Sequence, residues 1–478
     1  MKRIALAPGL AFLGLAFLGF ASWPASAQDP IVTDPKVLAA IQGLEQTLAG
    51  EVTKRGFPGM AVAVIHDQTP LWVHSYGLAD VATGTPVTEN TPFRVASISK
   101  LFTAVAIMQL RDAGLLDLDD PVQKHLATFR LAGDPHPTIT IRELLLHLGG
   151  LPREPLSASW QERVMPTRDQ LMADLDRQEA AIPPETLWKY SNLGYAILGQ
   201  LVKAVSDERF EDYVIRHIAQ PLGMTHTLVN PPPDSEKGIA VGYGYRQADG
   251  TRAPRPYMHM GGMYGAAGVI STAADLARLA ALFLSDADSD VLSAASRREM
   301  LRVQAVWPDW SGGQGLGFQT RRVGSQSRIG HAGRGAGYAG RLDIDPATKL
   351  GVVVLINADE NGPTRFVDEA FSALTGPVTA AEALGRAPQV ADPAWSKYVG
   401  RYTNEGRDSE IVLVDGRLAW QDAGAGDPAK TRILLEPAGG NEFKFTAGAL
   451  VGEKLTFDLD GAGKVVSMHA AGNTDLRR

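Results

Sequence analysis

The stretch Phe93-Arg94-Val95-Ala96-Ser97-Ile98-Ser99-Lys100 decides how the rest of this sequence is interpreted. It leads into a segment whose apolar residues recur at helical spacing, which predicts a helix. Ser97 and Lys100 therefore share one helical face. A serine hydroxyl needs a base to act as a nucleophile near neutral pH, and a lysine kept neutral by burial or by a nearby cation can serve. In an isolated Ser-x-x-Lys, the pair can equally be a helix-capping serine and a solvated lysine.

A second cluster is Trp188-Lys189-Tyr190-Ser191-Asn192, which precedes another predicted amphipathic helix. In an extended turn, Tyr190 and Asn192 point the same way. A tyrosine whose pKa is lowered by neighbouring cations can relay a proton, while an asparagine can position a substrate and a lysine. The alternative is a buried tyrosine that caps a local turn.

A third cluster is Gly330-His331-Ala332-Gly333-Arg334-Gly335-Ala336-Gly337, where a predicted strand meets several glycines. Such glycines let a backbone approach a ligand closely. Residues 335–340 also match G-x-G-x-x-G, but a strand follows them where a dinucleotide site requires a helix. We therefore predict no dinucleotide site here.

Composition narrows the chemistry further. The 478 residues carry a net charge of −7, which argues against nucleic-acid binding, and 45% of them are hydrophobic, which is typical of a globular protein. The sequence contains no cysteine, so thiolate nucleophiles, disulfides and zinc-thiolate sites are excluded. The ten histidines form no metal-ligand pattern, and structural roles are favoured for His66, His74 and His147. We predict neither a metal nor a cofactor.

The N-terminus predicts export. Lys2 and Arg3 precede an apolar run from Leu10 to Phe20, and Ala25-Ser26-Ala27 is typical of a cleavage site. Residues 1–27 are therefore predicted to be a cleaved signal peptide, which places the mature chain in the periplasm or outside the cell. The run is shorter than a membrane-spanning helix requires, so no membrane span is expected after cleavage.

The pattern along the chain predicts an α+β first domain over residues 28–378. A helix and a hairpin come first, a mostly helical region spans about residues 95–320, and strands return near Ile329, Arg341 to Ile344 and Gly351 to Ile356 before a closing helix. The economical arrangement is an antiparallel sheet built from both chain ends, flanked by helices and carrying a large helical insert.

A linker and a second domain are predicted to follow. Residues 379–393 are rich in Ala and Pro and lack a sustained period. Residues 394–478 then contain seven short strand-like segments separated by turn residues such as Asp415-Gly416 and Gly439-Gly440. We predict a small all-β domain, either a closed barrel or a sandwich.

Taken together, the three clusters resemble in order and context the three motifs of the serine β-lactamase and penicillin-binding-protein superfamily, most closely its class C and D,D-peptidase branch. Other family-like stretches include residues 114–121, 144–152, 221–225 and 268–276, so the resemblance covers roughly residues 55–375. The segment beginning Tyr398-Val399-Gly400-Arg401-Tyr402 looks like the lipocalin-like barrel appended to some members.

The resemblance implies an exported serine hydrolase that cleaves ester, D-amino-acid peptide or β-lactam acyl bonds, with a small-molecule or peptide acyl substrate. Ser97 attacks the carbonyl, Lys100 and Tyr190 handle its proton, and water releases the acyl group. Asn192, His331, Gly333 and Arg334 are implied to bind substrate; the backbone N–H groups of Ser97 and Arg334 would form the oxyanion hole.

One departure bears on substrate. His331-Ala332-Gly333 stands where lactamases usually have Lys-Thr-Gly or Lys-Ser-Gly, so the permanent cation that holds a substrate carboxylate is absent. Ester or peptide acyl transfer needs only the serine, its bases and the oxyanion hole. Regular alternation points Arg334 away from His331.

The sequence also leaves one alternative function open and predicts how the C-terminal barrel affects substrate access. An inert sensor that retains the fold to bind a cell-wall fragment is the alternative to an enzyme, although it would have no chemical need for Ser97, Lys100, Tyr190 and Asn192 together. The C-terminal barrel is predicted to roof the cleft and restrict it to small or extended substrates.

Overall fold

The computed structural model describes residues 30–133, 138–232, 238–385, 392–404 and 406–478. The predicted signal peptide lies outside the described residues. The chain divides into two compact units, with the boundary between Ala381 and Glu382. No helix in the described ranges is long and apolar enough to cross a membrane.

The first unit contains a nine-stranded antiparallel sheet and most of the helices. Its helices are α1 (Pro30–Thr33), α2 (Pro35–Arg55), α3 (Ser99–Asp112), α4 (Val122–His125), α5 (Ile141–Leu146), α6 (Arg168–Asp174), α7 (Asn192–Ser206), α8 (Phe210–Val214), α9 (Tyr264–Ala267), α10 (Ala273–Leu284), α11 (Ala294–Leu301) and α12 (Pro363–Gly385). Its strands are β1 (Gly59–His66), β2 (Thr69–Asp80), β3 (Thr85–Pro86), β4 (Phe93–Arg94), β5 (Leu228–Val229), β6 (Gly242–Tyr243), β7 (Pro254–Arg255), β8 (Val269–Ser271), β9 (Ala305–Val306), β10 (Gly312–Gln314), β11 (Gln319–Val323), β12 (Gln326–Gly335), β13 (Tyr338–Asp345) and β14 (Leu350–Ile356).

The sheet joins the two ends of this unit, as the sequence predicted. Its strand order is β3-β2-β1-β14-β13-β12-β11-β10-β9, and β1 pairs with β14 in the register Val62↔Val354. Because every residue of β1 and β14 is buried, their side chains pack alternately into two cores, one on each face of the sheet.

The two cores hold different elements. The core that contains Val62 and Val354 packs against α2 and α12, whereas the core that contains Ala63 and Val353 packs against the helical insert, including α3, α7 and α10. The insert thus brings α3 and α7 together over one face of the sheet, and both the serine and the tyrosine clusters lie at their N-terminal ends.

The second unit is a closed barrel of eight antiparallel strands. The strands are β15 (Gly400–Asn404), β16 (Arg407–Val414), β17 (Arg417–Asp422), β18 (Ile433–Gly439), β19 (Glu442–Phe445), β20 (Lys454–Leu459), β21 (Val465–Ala470) and β22 (Asn473–Arg477). Its interior is filled with apolar and aromatic side chains such as Tyr402, Phe443 and Phe457. The barrel therefore has a hydrophobic core of its own.

Two details differ from the sequence predictions. Helix α12 continues through Pro377 to Gly385, so the first residues predicted as linker (379–393) are helical; residues 386–391 lie outside the described part of the chain. The pattern also missed β22, whose side chains are mostly exposed and polar and so give no apolar alternation.

Candidate active site

Ser97 lies in a short 3-10 turn, Ala96–Ile98, between β4 and α3. The backbone of Ala96 adopts a left-handed conformation with φ of 46°, which is unusual for a residue with a side chain. This sharp turn presents Ser97, which is partly exposed, at the start of α3. The predicted position of the serine at a helix N-terminus is thus confirmed.

Lys100 is the fully buried partner of Ser97. Its Nζ donates hydrogen bonds to Ser97 Oγ at 3.2 Å, to Asn192 Oδ1 at 2.8 Å and to the Ala266 carbonyl at 3.0 Å. Burial lowers the pKa of Lys100 to about 7, a fall that the nearby Arg153 charge assists and the Glu154 charge opposes. The alternative that Lys100 is a solvated lysine is therefore wrong. The alternative that Ser97 caps the helix is also wrong, because Ile98 occupies the N-cap of α3.

Tyr190 is largely buried beside the same two residues. Lys100 Nζ lies 5.0 Å from the Tyr190 ring centre. The expected fall in the Tyr190 pKa is wrong: burial raises the pKa to about 12, and the Ser97 hydroxyl and the Arg153 charge only partly oppose this rise. Tyr190 is accordingly a neutral phenol at pH 7.

Asn192 begins α7 and connects Lys100 to a carboxylate that the sequence did not single out. Its Nδ2 donates to Glu154 Oε1 at 2.6 Å while its Oδ1 accepts from Lys100. Because an amide must present its NH2 to the carboxylate, Glu154 fixes the orientation of Asn192. Burial raises the pKa of Glu154, and hydrogen bonds from Asn192 and Trp160 oppose the rise.

The third cluster lies on β12, next to the serine. Gly333 passes so close that a Cβ atom there would lie 2.0 Å from the Val95 carbonyl and 3.2 Å from the Ser97 nitrogen. Only glycine permits this approach. The neighbouring Arg334 is exposed, and its guanidinium donates to Asn361 Oδ1.

His331 is buried on β12 against Tyr190, with 6.2 Å between the ring centres. Its Nδ1 donates to the Ala332 carbonyl at 2.6 Å, since a carbonyl can only accept. Burial, together with the charges of Lys100 and Arg341, lowers the pKa of His331 to about 3. His331 is thus neutral and supplies no cation in place of a lysine.

An open pocket of about 450 Å³ exposes Ser97. Besides Ser97 and Asn192, its walls carry two carboxylates and four guanidinium groups. These charged residues are Glu154, Asp359, Arg153, Arg163, Arg255 and Arg334. Several are already paired: Arg255 lies 3.6 Å from Asp359, and Arg153 lies 3.6 Å from Glu154.

The structure brings together Ser97, Lys100, Tyr190, Asn192 and His331, and Gly333 borders them. Sequence reasoning missed Glu154, although it lies only two residues after the family-like stretch that ends at Pro152. Within the described ranges, no group of three or more histidines and carboxylates is arranged to hold a metal ion.

The site is a Ser-x-x-Lys site, in which a buried lysine is hydrogen-bonded to a partly exposed serine and a tyrosine from a second motif lies beside them. It is carried by a sheet with a helical insert. The family model described as Beta-lactamase matches residues 44–376. The chain therefore belongs to the Beta-lactamase family, whose members include serine hydrolases and penicillin-binding proteins.

Individual relatives agree with this assignment. The chain is 29% identical to penicillin-binding protein 4 of Amycolatopsis lactamdurans over 374 residues, which are 74% of this chain and 95% of that protein. It is 34% identical to a beta-lactamase of Yersinia enterocolitica over 239 residues, 49% of this chain and 57% of that protein. Among solved structures, the octameric penicillin-binding protein homologue from Pyrococcus abyssi is similar over 91% of this chain and all of that one, with a TM-score of 0.63 and 25% identity.

Proposed function

We propose that the protein is a serine hydrolase that forms an acyl-enzyme on Ser97. The observation that carries the proposal is the 3.2 Å distance between Nζ of the buried Lys100 and Ser97 Oγ. A lysine with a pKa of about 7 is neutral in a substantial fraction of molecules at physiological pH. Such a lysine has the free electron pair that a general base requires.

In the acylation step, Ser97 Oγ bonds to the substrate carbonyl carbon and its proton passes to Lys100 Nζ. We propose that Tyr190, a neutral phenol in the resting site, donates its hydroxyl proton to the leaving oxygen or nitrogen, and that the proton taken up by Lys100 then passes to Tyr190. The bond to the leaving group breaks as the acyl group is retained on Ser97. Water later attacks this ester, gives a proton to the same bases and regenerates Ser97.

The oxyanion hole is proposed to consist of the backbone N–H groups of Ser97 and Arg334. The close approach of Gly333 to the Ser97 nitrogen supports this assignment, because it brings the backbone of β12 beside residue 97. Two converging N–H groups stabilise the negative oxygen of a tetrahedral intermediate by about 3 kcal/mol each.

For the substrate, we propose acyl esters and amides, including those of D-amino acids, ahead of β-lactams. The neutral His331 supports this order, because a buried imidazole with a pKa of about 3 cannot pair with a β-lactam carboxylate as a lysine does. The pocket also places the Glu154 carboxylate beside Asn192, close to where a bound acyl group must lie. We further propose that the enzyme acts outside the cytoplasm, on the basis of the N-terminal sequence.

The test compares wild type with Ser97→Ala on three substrates: p-nitrophenyl acetate, a D-amino-acid p-nitroanilide and a chromogenic cephalosporin. Ser396→Ala, at an exposed serine of the barrel unit, is the matched control. We expect wild type and the control to hydrolyse the ester and the anilide faster than the cephalosporin, and Ser97→Ala to hydrolyse none. Hydrolysis unchanged in Ser97→Ala would refute the proposal. Inactivity of all proteins would favour the inert binding protein.

A further inference from the structure

His147 ends α5 and contacts the backbone on both sides of Tyr190. Its own backbone is left-handed, with φ of 60°, and its side chain is 2% exposed. The His147 carbonyl accepts from the Lys189 N–H at 2.9 Å, and the ring Nδ1 accepts from the Ser191 N–H at 3.1 Å. One residue therefore accepts hydrogen bonds from the backbone N–H groups of both sequence neighbours of the tyrosine.

The His147 ring also packs against the Tyr190 ring itself. The two ring centres are 4.5 Å apart, and the Tyr195 and Trp188 rings lie 5.1 Å and 6.0 Å from His147. The Tyr195 hydroxyl donates to the Leu145 carbonyl at 2.8 Å, which ties α7 to α5 beside the histidine. The Tyr190 side chain thus packs against the His147 ring at a place where a hydrogen bond joins α5 to α7.

The hydrogen bond from Ser191 requires a neutral imidazole with its proton on Nε2, since Nδ1 must present its lone pair to an N–H donor. Burial lowers the pKa of His147 well below its usual range, and the charged or titratable groups that face it, Lys100, His331 and Arg153, lower it further. Burial and these charges therefore keep His147 neutral, and the Ser191 N–H selects the tautomer that leaves Nδ1 unprotonated.

We propose that His147 is a positioning residue for Tyr190: its carbonyl and Nδ1 fix residues 189–191 so that the phenol oxygen meets Ser97. The inference rests on the proposed function, because Tyr190 has a proton to handle only if Ser97 is acylated. A histidine with a merely structural role would stabilise the fold without affecting the catalytic step selectively.

Two variants separate these roles. In His147→Asn the side-chain Oδ1 occupies the place of Nδ1 and can accept from Ser191, and asparagine tolerates a left-handed backbone. In His147→Gln the amide lies one bond further out, near the place of Nε2, and this contact is lost. Ester hydrolysis (kcat and KM), fluorophosphonate labelling of Ser97 and thermal unfolding are measured for both variants and wild type.

We expect kcat of His147→Gln to fall at least tenfold with KM within about twofold of wild type, and His147→Asn to recover kcat to within about threefold. Equal kcat in both variants, whether retained or lost in parallel with the unfolding temperature, would overturn the proposal. If His147→Gln does not fold, His147→Phe replaces it, because it keeps the ring contact with Tyr190 and removes the acceptor.

Labelling of wild type at Ser97 keeps this test separate from that of the proposed function. If wild type is labelled and the two variants behave alike, only the role of His147 is wrong. If wild type is neither labelled nor active, the proposed function is wrong and the role of His147 falls with it.

Discussion

Lys100 Nζ lies 3.2 Å from Ser97 Oγ, and all three of its hydrogen-bond acceptors are neutral: Ser97 Oγ, Asn192 Oδ1 and the Ala266 carbonyl. Neutral acceptors do not offset the cost of burying an ammonium as a carboxylate would. The nearest opposing charge, Glu154, acts across Asn192 and only partly restores the pKa of Lys100. The site thus lowers the pKa of a lysine next to a serine to about 7, so that a substantial fraction of Lys100 is neutral at physiological pH.

The base role of Lys100 predicts that charge alone cannot replace it. Lys100→Arg keeps the positive charge but introduces a group that stays protonated, so kcat/KM for ester hydrolysis should fall about 10²- to 10⁴-fold. Lys203→Arg, at an exposed position of α7, is the control and should match wild type. Retention of more than a tenth of wild-type activity by Lys100→Arg would contradict the assignment.

The pH dependence of activity should report Lys100. Because the neutral form is the base, kcat/KM should rise with pH through an apparent pKa of about 7. Glu154→Gln removes a negative charge that raises the pKa of Lys100, yet it can still accept from Asn192, so the acidic limb should move to lower pH. A limb that stays in place or moves upward shows that another group titrates.

Because β12 passes close to Ser97, a substitution at Gly333 should lower both the reactivity of Ser97 and the stability of the fold. In Gly333→Ala the new methyl group overlaps the Val95 carbonyl, which must shift together with the Ser97 turn. Labelling of Ser97 should slow at least tenfold, and unfolding free energy should fall by about 1–3 kcal/mol. In the control, Gly43→Ala, nothing lies within 4 Å of the added group on α2, and stability should rise by about 0.5–1 kcal/mol. Unchanged labelling in Gly333→Ala would exclude the proposed oxyanion geometry.

Whether the barrel restricts the cleft is tested by truncation. Because the barrel has its own hydrophobic core, a chain ending at Gly385 should retain the first unit, which thermal unfolding can verify. If the barrel roofs the cleft, the truncated enzyme should gain activity on a bulky ester relative to p-nitrophenyl acetate. An unaltered ratio of the two rates would dismiss this prediction.

Much of the fold follows from local pattern. The short, continuous apolar runs of Ala61 to Ile65 and Val352 to Ile356 predicted buried strands, and the sheet pairs β1 with β14, in agreement with the predicted sheet built from both chain ends. Strand β22 was missed because its residues are mostly exposed and show no apolar alternation. The start of the linker was wrong because residues 379–385, which lack a sustained apolar period, were assigned to the linker although they continue α12. Local pattern fails where tertiary packing overrides it.

The candidate site, like the fold, was predicted only in part from the sequence. The spacing of Ser97 and Lys100 within one helix turn was visible in the sequence, as were Tyr190 and Asn192 in a second motif. The pKa of Tyr190 was predicted in the wrong direction because burial is set by the surrounding fold, and burial outweighs the nearby cations. Glu154 and Asn192 are 38 residues apart in the sequence, so no local sequence pattern predicts their contact.

The most direct test of the central claim is the intact mass of the protein after reaction with a fluorophosphonate probe, with Ser97→Ala treated in parallel. We expect one adduct on the wild-type protein, mapped by proteolysis to Ser97, and none on the variant. Folded wild-type protein that remains unlabelled, or a variant that is labelled as well as wild type, would contradict this claim.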